Sequence, residues 1–351
     1  MEDTTIIQRV APELLPILEL RYKILRQLLF SQPLGRRALA SKLQLGERII
    51  RRELEKLREG GLVEIGPDGV RLTSKGTPIV AELGQLVHQL RGLRHLEEGL
   101  ARELGLRRMM VVPGDLDEDP MVKKDLARAT SIYLDKVLKD EDVLAVTGGT
   151  TLAEVARSLP LFSSRRRVIV VPARGGLGEE VELQANTVAA VFARQLGGSY
   201  RLFHLPDDLS EEAMHTISNE PKVRQIMALL RKARYVLHGI GTAEEMARRR
   251  GLGPRQMDLI RSRQGVGEAF GYYFDRQGRI VYSTSSTGLR LEDLEGIGEV
   301  IAVGGGKGKA EAALAVLSSK YQHVCITDEG AARLMWSLIE GDKEISHTEG
   351  R

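Results

Sequence analysis

Residues 143–158, VLAVTGGTTLAEVARS, contain the transition that decides the fold of most of the chain. A short β-branched run leads directly into Gly148 and Gly149, then Thr150 and Thr151, and then a helical stretch. Glycines let the backbone approach an anion, and the free N–H groups at a helix start point toward it. The two hydroxyls add donors, so this turn is predicted to bind an anionic ligand.

The same order, a short apolar strand and then a helix, recurs along the chain after residue 105. The predicted strands are 109–112, 143–147, 168–171, 235–238, 280–282, 300–303 and 324–327. The predicted helices include 120–139, 151–158, 183–196, 243–250 and 309–319. Apolar strands that alternate with helices imply a parallel sheet covered on both faces. We therefore expect an α/β fold of the Rossmann-like, doubly wound type.

Two further glycine turns follow predicted strands, at 239–242 (GIGT) and 304–309 (GGGKGK). The second also offers ammonium groups, from Lys307 or Lys309. Neither turn has the spacing of a dinucleotide or P-loop motif, so no cofactor is expected. The carboxyl ends of parallel strands meet at one edge, where open α/β sheets bind ligands. The three turns are therefore expected to lie together.

Polar residues elsewhere in this region indicate a phosphorylated sugar. Arg174 follows a strand among small residues, which suits a bidentate clamp on phosphate. Gln184 and Asn186 open a predicted helix and are candidates to reach sugar hydroxyls. Glu268 and Asp275 are candidates to accept hydrogen bonds from hydroxyls.

The first 75 residues have the element order of a winged helix-turn-helix. The predicted helices are 14–30, 36–43 and 47–59, followed by strands 62–65 and 70–73 around the turn GPDG. The third helix has a buried face made by Ile50, Leu54 and Leu57.

Basic residues dominate the same stretch. Residues 36–58 contain eight Lys or Arg and three Glu, a local charge of +5. This density matches the phosphate charge of double-stranded operator DNA, and arginine can also bind guanine edges. The residues expected at the DNA are Arg36, Arg37, Arg48, Arg51, Arg52, Lys56 and, on the wing, Arg71.

Apolar residues at spacings of three and four over 76–105 predict a single long helix. It is either a linker that also dimerises the chain or a helix packed on its own domain. The predicted organisation is thus a DNA-binding domain at 1–75, a linker or dimerisation helix at 76–105 and an effector-binding domain at 106–351. A homo-oligomer, dimer or tetramer, is expected.

The composition excludes several classes of protein. The chain of 351 residues has one cysteine, so no internal disulfide forms, and no metal-ligand spacing stands out among its seven scattered histidines. The first residues have neither a basic region nor an apolar stretch, so no signal peptide is expected, and no window approaches 18 apolar residues. A cytoplasmic protein without metal, cofactor or membrane contact is expected.

Five motifs carry a resemblance to the sorbitol-operon regulator (SorC-type) family of transcriptional regulators. They are VTGGTTLAEVA (146–156), VPARGGLGEEVELQANTVAAVFA (171–193), HGIGTAEEMARRR (238–250), GEAFGYYFDRQG (267–278) and GGGKGKAEAALA (304–315). The resemblance implies a repressor of glycolytic genes that fructose-1,6-bisphosphate releases from its operator. It also implies an effector domain similar to sugar-phosphate isomerases and deaminases.

The resemblance further implies a role for each candidate residue. Thr150, Thr151 and Lys309, beside Gly148 and Gly149, would hold one phosphate. Arg174 would clamp the other, together with Arg249. Because residues 248–250 are all arginines, which of them contacts the ligand is left open. The choice between Lys307 and Lys309 is open in the same way. Gln184 and Glu268 would face the sugar.

Other functions are compatible with the same sequence. The α/β domain could be a sugar-phosphate isomerase or deaminase, with Glu179 and Glu180 as acid and base, although no nucleophile–histidine arrangement is present. Related regulators bind monophosphorylated sugars, which is a second alternative for the effector. An architectural DNA-binding protein without a ligand would leave the glycine turns unexplained.

Overall fold

The computed structural model describes residues 10–159, 167–176, 180–207, 209, 211–217, 219–285 and 287–349. The chain divides into two compact units, Met1–Arg94 and His95–Arg351. Each unit has a hydrophobic core of its own. Within the described residues, no helix is long and apolar enough to cross a bilayer.

The first unit has the predicted winged helix-turn-helix order. Its elements are α1 Leu14–Ser31, α2 Arg36–Lys42, α3 Glu47–Glu59, β1 Val63–Gly66, β2 Gly69–Leu72 and α4 Gly76–Leu90. β1 and β2 form the antiparallel hairpin of the wing. Leu34, between α1 and α2, exchanges two backbone hydrogen bonds with Val70, at 2.8 and 3.1 Å. The wing is thereby attached to the helix-turn-helix.

The α3 helix is amphipathic in the way its spacing predicts. Ile50, Leu54 and Leu57 are buried and pack with Ile24 of α1 and Leu39 of α2. Each such side chain contributes about 1.5–3 kcal/mol by leaving water. The basic residues of α3 are left on its exposed side.

The expected single helix over 76–105 is wrong, because two helices occupy this stretch. The first is α4, and the second is α5, Leu93–Leu104. Gly92 between them has φ of 66°, a left-handed conformation that ends a helix and that glycine adopts easily. α4 packs on α1 in the first unit, where Val80 joins the core. A dimerising role for this region stays a prediction.

A seven-stranded parallel sheet forms the centre of the second unit. Its strands are β3 Arg108–Val112, β4 Val143–Val146, β5 Ile169–Pro172, β6 Ser199–Tyr200, β7 Tyr235–Gly239, β12 Glu299–Val303 and β13 Val324–Asp328. The order is β3-β13-β12-β7-β4-β5-β6, and every neighbouring pair is parallel. β4 is buried along its whole length, as expected for a strand covered on both faces.

The second unit also contains helices and two 3₁₀ turns. They are α6 Val122–Val137, α7 Thr150–Ser158, a 3₁₀ turn at Val181–Leu183, α8 Ala185–Leu196, α9 Glu211–Ile217, α10 Pro221–Arg231, α11 Ala243–Arg249, α12 Pro254–Ser262, α13 Leu291–Leu294, a 3₁₀ turn at Lys307–Lys309, α14 Ala310–Ser318 and α15 Glu329–Glu349. On one face, Leu126, Leu152 and Phe192 pack on Val146 and Leu237 of the strands.

A second sheet of four antiparallel strands was not predicted. It contains β8 Gly241–Thr242, β9 Gly267–Ala269, β10 Tyr272–Phe274 and β11 Ile280–Ser283, in the order β11-β10-β9-β8. The expectation that residues 280–282 belong to the parallel sheet is therefore wrong. A tight turn joins β10 to β11, in which Asp275 accepts the N–H groups of Gln277 and Arg279. A parallel pair would need a crossover of a dozen residues or more.

The three glycine turns follow β4, β7 and β12, which are adjacent in the sheet. The expectation that they lie together at the carboxyl edge is confirmed. This edge positions the candidate site.

Candidate functional site

The residues predicted to bind the effector surround one cavity at the carboxyl ends of β4 and β7. All nine line it: Gly148, Gly149, Thr150, Thr151, Arg174, Gln184, Arg249, Glu268 and Lys309. The space that these residues enclose amounts to about 860 Å³, which includes open solvent at its mouth. The structure brings these residues together, and their contacts with a ligand stay predictions.

The first glycine turn is built for close backbone approach. A Cβ atom on Gly148 would lie 2.3 Å from the carbonyl oxygen of Leu183, so only glycine fits there. Gly149 precedes α7 with φ of 107° and has no side chain to cap it. The first N–H groups of a helix have no acceptor inside it. Those of Thr150 and Thr151 thus remain available at the cavity.

Positive charge gathers at the same end of the cavity. Lys309 lines the cavity and Lys307 does not, which separates the two lysine candidates. Burial lowers the pKa of Lys123, and the neighbouring charges of Lys309 and Arg157 lower it further against the pull of Glu154. Cations close enough to affect one another's titration create a favourable field for an anion.

The expectation that the turn at 304–309 offers free backbone donors is wrong. The N–H of Gly306 donates to Asp328 Oδ2 at 2.7 Å, that of Lys307 to Asp115 Oδ1 at 3.1 Å and that of Gly308 to Asp117 Oδ2 at 2.7 Å. These three backbone N–H groups already donate to carboxylates of the protein, so they are not available to a ligand. The turn therefore contributes the Lys309 side chain to the cavity rather than its backbone.

Arg174 is buried in a network of four charged residues. Its Nε and Nη2 donate to Asp207 at 3.2 and 2.6 Å, and its Nη1 lies 3.5 Å from Glu268 Oε1. Arg250 donates to the same two carboxylates, at 2.6 and 3.1 Å. Burial lowers the pKa of Arg174, and Asp207 and Glu268 oppose this loss. A guanidinium keeps its charge in proteins, so the four charges balance.

The arginines at 248–250 divide between the cavity and the surface. Arg249 and Arg250 line the cavity, whereas Arg248 is exposed and lies 3.9 Å from Glu244. Arg249 was the predicted residue, but the side chain of Arg250 is the most buried of the three. Arg250 therefore belongs to the cavity as well.

Two weaker candidates have structural roles instead. Asn186 exchanges hydrogen bonds with the backbone of Phe203, at 2.8 and 3.0 Å, and this fixes the strand-to-loop path. Asp275 holds the turn between β10 and β11. Neither lines the main cavity. Gln184 lines it from the N-cap of α8. Glu180 does not, and Glu179 lies outside the described residues.

Asp207, His238 and Phe270 are among the lining residues that the sequence did not single out. Asp207 lies in a loop without a motif, so no local signal marks it. His238 directly precedes the second glycine turn. Its position at the carboxyl edge of the sheet could therefore have been predicted from the sequence. Phe270 occupies the turn between β9 and β10 with φ of 54°.

His238 is a buried, neutral base in the cavity wall. Its Nδ1 lies 2.9 Å from the carbonyl oxygen of Gly239. Burial lowers the pKa of His238 to about 4. Its ring centroid is 4.7 Å from that of Phe270. Among the described residues, no group of three or more potential metal ligands forms a cluster.

The predicted DNA-binding residues are all exposed on the first unit: Arg36, Arg37, Arg48, Arg51, Arg52, Lys56 and Arg71. Most of them pair with a nearby carboxylate, such as Arg51 with Glu55 at 3.2 Å. Arg36 and Arg48 form no ion pair with any residue that the structure describes. Their charges are the least compensated of the set. Contact with DNA stays a prediction for all seven.

One pair inside α3 orients a side chain that is predicted to contact DNA. Glu53 is buried and accepts hydrogen bonds from Arg21 and Arg52, each at 3.0 Å. Burial raises the pKa of Glu53, but the two arginines outweigh it, so the pKa is lowered. The buried Glu53 carboxylate thereby holds the Arg52 side chain on the exposed basic side of α3.

Two family models match the two units. Residues 17–87 match the "CggR N-terminal DNA binding domain" and residues 88–337 match the "Putative sugar-binding domain".

Whole-length relatives and a solved structure agree with these matches. The central glycolytic genes regulator of Priestia megaterium is 42% identical over 93% of this chain and 96% of its own length. That of Bacillus subtilis is 39% identical over the same shares. A crystal structure described as "the putative SorC family transcriptional regulator from Enterococcus faecalis" aligns with a TM-score of 0.65 and 37% identity. It covers 69% of this chain and 99% of its own.

Proposed function

Because the chain belongs to the family of the central glycolytic genes regulators, we propose that it represses glycolytic genes and that a phosphorylated sugar releases it from operator DNA. The first unit binds the DNA, and the second binds the effector.

One observation supports the effector role above the others. Nine residues chosen for phosphate or hydroxyl binding, from distant parts of the chain, converge on a single cavity. The cavity combines a helix N-terminus, a lysine, arginines and hydroxyl partners. A helix start with free amides favours a phosphate, and a guanidinium favours a second one.

We propose fructose-1,6-bisphosphate as the effector. One phosphate would take the amides of Thr150 and Thr151 with Lys309. The other would take Arg174 as its clamp, together with Arg249. Gln184 and Glu268 would face the hydroxyls between them. A monophosphorylated sugar would occupy only one of these two phosphate positions.

Release from DNA requires that the effector prefer one conformation of the protein. A sugar phosphate shifts the balance only by its differential affinity for the DNA-bound and free states. We propose that dimers or tetramers of the chain place several α3 helices on one operator. Bound effector favours an arrangement in which these contacts are weaker.

An enzymatic role finds less support in the cavity. Its carboxylates are paired with arginines: Asp207 and Glu268 accept hydrogen bonds from them, and Glu245 lies 3.6 Å from Arg249. A general acid or base needs a carboxylate that faces the substrate with a matched pKa. The relatives named above are regulators. Turnover of fructose-1,6-bisphosphate or glucosamine-6-phosphate by the purified chain would favour the enzyme instead.

The matched pair Arg249→Ala and Arg248→Ala tests the proposal. An operator duplex is first selected from genomic fragments with the purified chain, and its release is followed by fluorescence anisotropy. We expect fructose-1,6-bisphosphate to release the parent and Arg248→Ala alike. Arg249→Ala should need about 10–100-fold more ligand, since a charged hydrogen bond contributes about 1.5–3 kcal/mol.

Two results would contradict the proposal. A parent protein that stays on its operator with every sugar phosphate would refute effector release. Equal responses of the two arginine variants would refute the assignment of Arg249 to the cavity's ligand.

A further inference from the structure

His238 is a polar group in the cavity wall that the phosphate contacts do not use. Its Nε2 is buried and has no hydrogen-bond partner among the described residues. A buried polar atom without a partner destabilises the folded protein, and such atoms are rare. The residue that carries it, His238, lines a ligand cavity, so a bound molecule is the candidate for the missing partner.

The neighbouring hydrogen bond determines what Nε2 offers. Nδ1 is 2.9 Å from the carbonyl oxygen of Gly239, which only accepts, so Nδ1 carries the proton. Burial keeps the ring neutral at pH 7, because it lowers the pKa of His238 to about 4. Nε2 is therefore an unprotonated acceptor. It repels a phosphate and suits a hydroxyl group.

Phe270 packs beside the ring of His238 at the expense of backbone strain. It has φ of 54° and is followed by Gly271 with φ of 81°, so both central residues of the β9–β10 turn are left-handed. Such a turn favours Asn-Gly, and an aromatic residue there is unfavourable. Strained residues of this kind persist mainly at functional sites. The strain places an aromatic ring 4.7 Å from that of His238, in the cavity wall.

We propose that His238 Nε2 accepts a hydrogen bond from a hydroxyl group of the bound sugar and that Phe270 screens this contact from water. The inference rests on the proposed function, because it assumes a sugar phosphate in the cavity. It adds a residue that selects the hydroxylated carbon skeleton of the ligand, separate from those that hold its phosphates.

Two ligands with the same end groups test this role by calorimetric titration of the full chain. Fructose-1,6-bisphosphate carries hydroxyls between its phosphates, and hexane-1,6-diol bisphosphate carries none. In His238→Phe, which keeps a ring beside Phe270, the affinity for the sugar should fall about tenfold, the value of one buried hydrogen bond. The affinity for the diol bisphosphate should change by less than about twofold.

His238→Gln provides the rescue variant, because its amide oxygen accepts a hydrogen bond near the position of Nε2. We expect it to recover most of the sugar affinity lost in His238→Phe. Melting temperatures of both variants without ligand establish that each is folded.

The outcomes separate this inference from the proposed function. An unchanged sugar affinity in folded His238→Phe, or an equal loss for both bisphosphates, overturns the role of Nε2. A His238→Gln variant no better than His238→Phe overturns it as well. Failure of the parent chain to bind fructose-1,6-bisphosphate or any other sugar phosphate refutes instead the proposed effector site.

Discussion

At the scale of single residues, Phe270 combines an unfavourable backbone conformation with a favourable burial of its ring. The left-handed backbone costs about 1–2 kcal/mol, and burial of the ring returns more than that. Phe270→Asn removes the strain and the packing together. We expect it to destabilise the chain by less than Phe192→Ala, which should lose about 3–5 kcal/mol as an unstrained buried residue.

Urea unfolding of Phe270→Asn and Phe192→Ala measures this difference. Effector affinity should fall in Phe270→Asn, because the His238 acceptor loses its cover. An asparagine variant as unstable as Phe192→Ala would show that strain at this turn is negligible.

His238 also predicts a pH dependence of stability. In the unfolded chain a histidine titrates near pH 6.5, and in the folded chain the pKa of His238 is about 4. Between these values the unfolded state binds the proton and the folded state does not. The free energy of unfolding therefore falls as the pH drops from about 6.5 to 4, by up to about 1.4 kcal/mol per pH unit.

The comparison of the parent with His238→Gln isolates this contribution. Denaturant unfolding at several pH values should give the parent a steeper loss of stability below pH ~6.5. Parallel curves for the two proteins would mean that His238 titrates normally in the folded state.

At the scale of elements, the β4–α7 turn depends on an approach of two backbones. In Gly148→Ala the new methyl group would lie 2.3 Å from the Leu183 oxygen and 2.9 Å from the Ala185 nitrogen. We expect a loss of about 1–3 kcal/mol in stability and of most effector affinity, as judged by thermal unfolding and calorimetry.

Gly176→Ala is the control for that substitution. Among the described residues its methyl group would meet only Gln184 Oε1, at 3.9 Å, and should be tolerated. If Gly148→Ala had the melting temperature and the effector affinity of the parent, the close approach of the two backbones would be unimportant for stability and binding.

Sequence patterns predicted most of these elements because the patterns are local. Helix α3 has the predicted bounds, 47–59, since its apolar spacing and its glycine stop lie within one stretch. Strands β4, β7 and β12 were also predicted, with their glycine turns. The antiparallel sheet was missed because β8, β9 and β10 have only two or three residues each. So short a run carries no periodicity.

The candidate site was predicted in part for the same reason. Gly148, Thr150 and Lys309 belong to motifs next to a strand or a helix start. The partner of Arg174 does not, since Asp207 is 33 positions away and is brought near only by the tertiary fold. The occupied amides at Gly306 likewise depend on Asp328, a carboxylate from another strand.

At the scale of the whole molecule, DNA affinity should depend on salt through the first unit. Each phosphate contact adds about 0.9 to the slope of log affinity against log salt. Arg48 is exposed and forms no ion pair with a described residue, so it is the best single test. In Arg48→Ala we expect the slope to fall by about 1, measured by anisotropy across a salt series.

An exposed arginine of the second unit, Arg255, provides the comparison. Arg255→Ala should keep the slope of the parent. A slope that fell equally in both variants would mean that general charge, rather than the α3 face, sets the affinity for DNA.

The balanced network of Arg174, Arg250, Asp207 and Glu268 has a consequence for the order of ligand entry. A group of charges that sums to zero exerts little pull on a phosphate still diffusing in solvent, whereas Lys309, which forms no ion pair with any described residue, acts at longer range. A bisphosphate should therefore anchor one end at that turn before its other end meets the guanidinium groups. The two phosphates would then bind in a fixed order, the one at the glycine turn first.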